Sequence, residues 1–78
     1  MIPTQPGPIA VDSSLLASAA YEQSESVLQL ELRDGAIYRY FAVPTAVYGD
    51  LLAAESKGSY FNKRIRGRFR HILLRRPQ

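Results

Sequence analysis

Eight basic side chains, Lys57, Lys63, Arg64, Arg66, Arg68, Arg70, Arg75 and Arg76, lie between residue 57 and the C-terminus of this 78-residue chain, with no Asp or Glu among them. Guanidinium and ammonium groups in such a run suit one chemistry above others, the holding of phosphate oxygens. Tyr60, Phe61 and Phe69 are interleaved with them, which makes nucleic acid the first partner to consider. The preceding residues carry the opposite sign. There Asp12, Glu22, Glu25, Glu31, Asp34, Asp50 and Glu55 face only Arg33 and Arg39, so the net charge of +3 conceals a directional field. Catalytic chemistry is poorly supplied. His71 is the single imidazole and there is no cysteine, so neither a base-activated nucleophile nor a zinc set is in prospect. The serines at 13, 14, 18, 24, 26, 56 and 59 lack a nucleophile-elbow setting, and Glu22, Glu25, Glu31 and Asp34 read as turn and strand-surface residues. The chain is expected to be non-catalytic, with no cofactor and no metal.

Arg64, Arg66, Arg68 and Arg70 alternate, which along a helix end and a following extended segment would display a row of guanidiniums. Lys57, Lys63, Asn62 and Arg39 would add contacts to such a row. A second anion site could form at Lys57-Gly58-Ser59 if these residues open a helix, although Ser56 could satisfy the same backbone donors as a cap. The competing interpretation is a solvated cationic rim whose arginines pair with the acids of the same or a second molecule.

The elements that would position these groups fit one small α+β domain, since 78 residues permit a single core. Residues 1–12 contain Pro3, Pro6, Gly7 and Pro8 and are expected to be a disordered leader. Residues 15–21 suit a short strand, and they are too short and too interrupted by Ser18 to cross a bilayer, which takes about 20 apolar residues. Their A-x-A pattern lacks a basic flank, so export is not expected, and a cytoplasmic protein with no membrane partner is. Leu28, Leu30 and Leu32 alternate with Gln29, Glu31 and Arg33, the signature of a half-buried strand. A three-residue loop with Gly35 in the left-handed conformation pairs Leu30 with Tyr38 and Leu28 with Tyr40. That register puts both tyrosines on the core face and sends Arg39 outward opposite Gln29. Val27, Ile37 and Phe41 then share the other face, where they form an apolar patch open to a partner, a second copy or residues 72–74 folded back.

Pro44 ends the third strand and should open a helix whose Val47, Tyr48, Leu51 and Leu52 cover the sheet. Ser56 caps a second short helix from Lys57 with Tyr60, Phe61 and Ile65 turned inward, stopped at Arg66-Gly67. The result is a three-stranded antiparallel β-meander with two short C-terminal helices packed on one face, β-β-β-α-α. Residues 70–78 are left as a basic C-terminal tail, either an edge strand or frayed.

The order of motifs, Ser13-Ser14, Tyr21, Tyr38-Arg39-Tyr40-Phe41, Val43-Pro44, Val47-Tyr48, Leu51-Leu52, Ser56-Lys57-Gly58, Tyr60-Phe61-Asn62 and Ile65-Arg66-Gly67, resembles the KTSC domain family. The resemblance spans residues 13–69. Ala19-Ala20 stands where that family has a larger aliphatic residue followed by glycine. Members occur at the C-terminus of some lysyl-tRNA synthetases and as small free-standing bacterial and phage proteins. The resemblance implies little about activity beyond the RNA, tRNA first, that its synthetase context suggests, and the charge pattern makes Lys57, Lys63, Arg64, Arg66, Arg68, Arg70 and Arg39 the expected contacts for it. The alternative is a protein-interaction module, homodimeric or docking a partner on Val27, Ile37 and Phe41.

Overall fold

The computed structural model describes residues 8–78. Its centre is the hairpin of β3 (Val27–Leu32) and β4 (Ile37–Tyr40), antiparallel in the expected register, Leu28 with Tyr40, Gln29 with Arg39 and Leu30 with Tyr38. The loop is built as its residues require. Gly35 has φ +96°, its N–H donates to the Leu32 carbonyl (3.0 Å), and the Asp34 carboxylate accepts from the Ala36 N–H (3.0 Å). β2 (Leu16–Glu22) pairs along β3 with one irregularity, where Leu16 opposes Leu32 but Ser18 opposes Glu31. The extra residue at Ala17 changes the alternation, so Leu16, Ala19 and Tyr21 all reach the core.

Two further strands correct the three-stranded expectation. β1 (Ile9–Ala10) pairs with Ala19 and Ser18 of β2, and β5 (His71–Arg75) pairs with β4, which gives a five-stranded antiparallel sheet in the order β1-β2-β3-β4-β5. Of the segment expected to be a disordered leader, residues 1–7 lie outside the described residues, while Val11 is buried and its N–H donates to the Ala17 carbonyl (3.1 Å). The residues at 72–74 therefore extend the sheet and do not fold back over the Phe41 patch.

One face of the sheet is covered by α1 (Thr45–Ala53) and α2 (Lys57–Tyr60), the latter running on into a wider turn at Phe61–Ile65. Pro44 stands one position earlier than expected, in extended conformation at φ −63° and ψ 149°, as the cap before Thr45. Ser56 caps α2, its hydroxyl accepting from the Ser59 N–H (3.2 Å). The Arg66 N–H donates to the Phe61 carbonyl (2.8 Å), an i→i+5 closure, and Gly67 at φ +73° turns the chain away. Phe61 and Ile65 both enter the core beside Leu16, Leu28, Leu30, Val43 and Leu51, all fully buried.

Tyr21 and Tyr48 tie the sheet to α1, with rings stacked 4.9 Å apart. The Tyr21 hydroxyl donates to the Val43 carbonyl (2.6 Å), which fixes the chain where it leaves β4 for α1.

Candidate nucleic-acid interface

The seven cations of the expected contact set fall into three environments. The first surrounds the turn after α2, where Phe61 and Ile65 point inward and Lys63, Arg64, Arg66 and Arg68 are left exposed. Arg64 and Arg68 share a shallow groove of about 530 Å³ with Val47, Tyr60 and Phe69, and Asp50 is its single carboxylate. Arg66 is more constrained. It donates to the Asn62 side-chain oxygen (3.1 Å) and lies 5.7 Å from the centre of the Phe61 ring. Among the described residues the one salt bridge is Arg75 with Glu31 at 3.0 Å, so none of Lys63, Arg64, Arg66 or Arg68 is neutralised by a carboxylate. Guanidiniums in that condition keep their full charge toward solvent.

The second environment is the sheet face that the helices leave open. Arg39 donates to the Gln29 side-chain oxygen (2.9 Å) and lines a groove of about 560 Å³ with Glu22, Glu25, Val27 and Phe41. Arg70 lies 5.7 Å from the centre of the Phe41 ring on this side. The arginine row expected from alternation is thus divided. Gly67 redirects the backbone, and the Phe41 N–H donates to the Arg70 carbonyl (2.9 Å), so Arg70 enters the sheet away from Arg66. Val27 and Phe41 share the groove as expected, while Ile37 sits farther along the strand beside the Arg75–Glu31 pair.

Lys57 makes the third. Its ammonium donates to the Ala54 carbonyl (2.9 Å), completing the end of α1, and Ser56 occupies the donor at Ser59. Gly58 has a packing reason, because a Cβ there would stand 3.2 Å from the Cβ of Leu15. The groups at Lys57-Gly58-Ser59 serve the fold.

Two tyrosines have altered acidity. Burial chiefly pushes the Tyr40 hydroxyl up to about 12, Tyr38 adds to this, and the nearby Arg66 charge partly offsets it. Burial also raises Tyr48, whose hydroxyl is buried without a hydrogen-bond partner among the described residues. Both stay protonated at neutral pH. No three of His, Cys, Asp or Glu among the described residues come together to hold a metal ion, and no helix there is long and apolar enough to cross a membrane.

His71 is the residue that sequence reasoning placed least well. Its ring packs against Tyr38 and Tyr40, a contact with no local signal, since it depends on the tail joining β4 in one register.

A family model for the KTSC domain matches residues 12–69. A protein of Tsukamurella paurometabola is 44% identical over 64 residues, covering 82% of this chain and 96% of that one. A lysine–tRNA ligase of Nostoc punctiforme is 42% identical over 63 residues, 81% of this chain but 11% of the ligase. The crystal structure of a KTSC domain protein from Yersinia pestis superposes with a TM-score of 0.83 at 29% identity, covering 87% of this chain and 96% of that one.

Proposed function

The chain belongs to the KTSC domain family, and we propose that it is a small non-catalytic RNA-binding module whose contact surface is formed by Lys63, Arg64, Arg66 and Arg68. The observation that carries this reading is the set of exposed cations without a carboxylate partner around the Phe61–Ile65 turn. A structural role would place those charges in salt bridges, and Asp50, which lines the same groove as Arg64 and Arg68, pairs with neither. The match to a lysine–tRNA ligase, over 11% of its length, supports RNA as the polyanion and tRNA as the first ligand to try. Arg39 and Arg70, on the open sheet face, would reach only an RNA that wraps the β4–β5 edge.

A second reading, docking of a protein on Val27, Phe41 and Arg39, is favoured by the groove these residues line. Fluorescence anisotropy with tRNA, single-stranded RNA and duplex DNA separates the two. The native chain should bind RNA at low salt, and the variant carrying Arg64→Glu, Arg66→Glu and Arg68→Glu should not. Equal binding by both chains, or none by either when folded, overturns the RNA reading.

A further inference from the structure

His71 is the one exposed aromatic ring among the described residues. Its surroundings are unusual for a surface histidine. β5 aligns His71 with Tyr40 and Leu73 with Tyr38, so all four side chains belong to the helix-covered side of the sheet. The helices stop short of this edge. Tyr40 is buried beneath Phe61, whereas His71 and Leu73, one strand farther out, are open to solvent.

The imidazole is nonetheless held. Its centroid lies 5.3 Å from that of Tyr40 at an interplanar angle of 35°, and 5.7 Å from that of Tyr38 at 64°. Two phenol rings beside it, Tyr40 tilted and Tyr38 edge-on, restrict its rotamers, while the residue as a whole stays exposed to solvent. None of the side-chain hydrogen bonds among the described residues uses the His71 ring. The other aromatic rings are less available. Tyr21 and Tyr48 stack on each other, Phe61 is buried, and Phe41 has Arg70 over it. Tyr60 and Phe69 pack partly into the core. Phosphate-holding charge is close by, because Arg66 lies on Phe61 and Phe61 packs edge-on to Tyr40, with ring centres 5.9 Å apart.

We propose that the exposed His71 ring seats one unpaired base of the RNA, stacked beside Tyr38 and Tyr40, with the adjoining phosphates held at Arg66 and its neighbours. This inference rests on the RNA reading above and adds a preference that the arginines alone cannot supply. Phosphate contacts alone favour the form with the higher charge density, the duplex, whereas a stacking seat accepts only a base whose face is free. The tolerance of stacking for every base makes the preference one for single strands and loops, not for a sequence.

The test compares three probes by anisotropy at one pH and one salt concentration, and a phenylalanine variant separates loss of the ring from loss of its nitrogens. The probes are an oligoadenylate, an abasic ribose-phosphate oligomer of the same length, and duplex RNA. The native chain should favour the oligoadenylate over the abasic oligomer by roughly 5- to 150-fold. His71→Ala should remove that advantage and leave the abasic and duplex affinities unchanged, and His71→Phe should restore it. Abasic binding with no advantage for bases, or an advantage that survives His71→Ala, overturns the stacking seat and leaves the arginine reading standing. Failure of all three probes at low salt with a folded native chain overturns both.

Discussion

Phe61 and Ile65 are fully buried, and Lys63, Arg64, Arg66 and Arg68, threaded between and after them, are exposed and unpaired with any carboxylate among the described residues. One short segment therefore holds two populations with different work. The inward residues are fixed by packing against Leu16, Leu28 and Leu51, and the outward ones contribute charge with little packing. The difference teaches that folding and binding are separable here by substitution, although they are inseparable by truncation.

The largest expected effect lies on the buried side. Phe61→Ala should cost about 3–5 kcal/mol, most of the stability of so small a domain. Chemical denaturation would show the loss, and a cost below about 1 kcal/mol would mean that the ring is not a core residue. Tyr21→Phe should cost about 1–3 kcal/mol, since it strands the buried Val43 carbonyl while keeping the ring on Tyr48. A shift in midpoint without a change in denaturant slope would be the signature.

Tyr40 gives the same side a pH dependence. Its folded-state value of about 12 exceeds the ordinary 10.0, so the folded chain binds the proton more tightly than the unfolded one. The corresponding stability is fully present below pH 10 and is lost as pH rises toward about 12. Denaturation at stepped alkaline pH should show that decline, and Tyr40→Phe should lessen it; an identical decline in the variant would assign it to other groups. Gly67→Ala is smaller still. A Cβ would meet nothing within 4 Å, so the cost is that of φ +73° alone, about 1 kcal/mol. On the exposed side, Arg64→Ala should change stability by less than about 0.5 kcal/mol. A loss comparable to that of Phe61→Ala would abolish the distinction between the two populations.

The central hairpin was legible because Leu28, Leu30 and Leu32 alternate and the residue-33–35 loop has one length that keeps Arg39 off the leucine face. Ser56 and Gly67 were legible as cap and stop because each supplies a local backbone need, a side-chain acceptor in one case and a positive φ in the other. The sheet edges were not. β1 is two residues long in a proline-rich stretch, and β5, which the sequence leaves between an edge strand and a frayed tail, has a pairing that is set by β4 and includes an irregularity between Ile37 and Tyr38. A bulge at the pairing of Leu16 and Ser18 likewise leaves no mark in composition. Of the candidate site, Arg64, Arg66 and Arg68 could be grouped from their positions around Ile65, but Arg70 could not be separated from them without knowing that β5 joins the sheet. His71 acquired neighbours only through that same strand.

The measurement that bears most directly on the exposed cations is the salt dependence of RNA affinity for the native chain and for Arg64→Ala. Four phosphate contacts with a single strand give log K a slope of about −3 against log salt, and removing one should reduce its magnitude by roughly 0.7. Those two slopes, with Arg64→Ala as stable as the native chain, are the expected result. A native slope near zero, or one that Arg64→Ala leaves unchanged, would contradict the assignment of this surface to RNA.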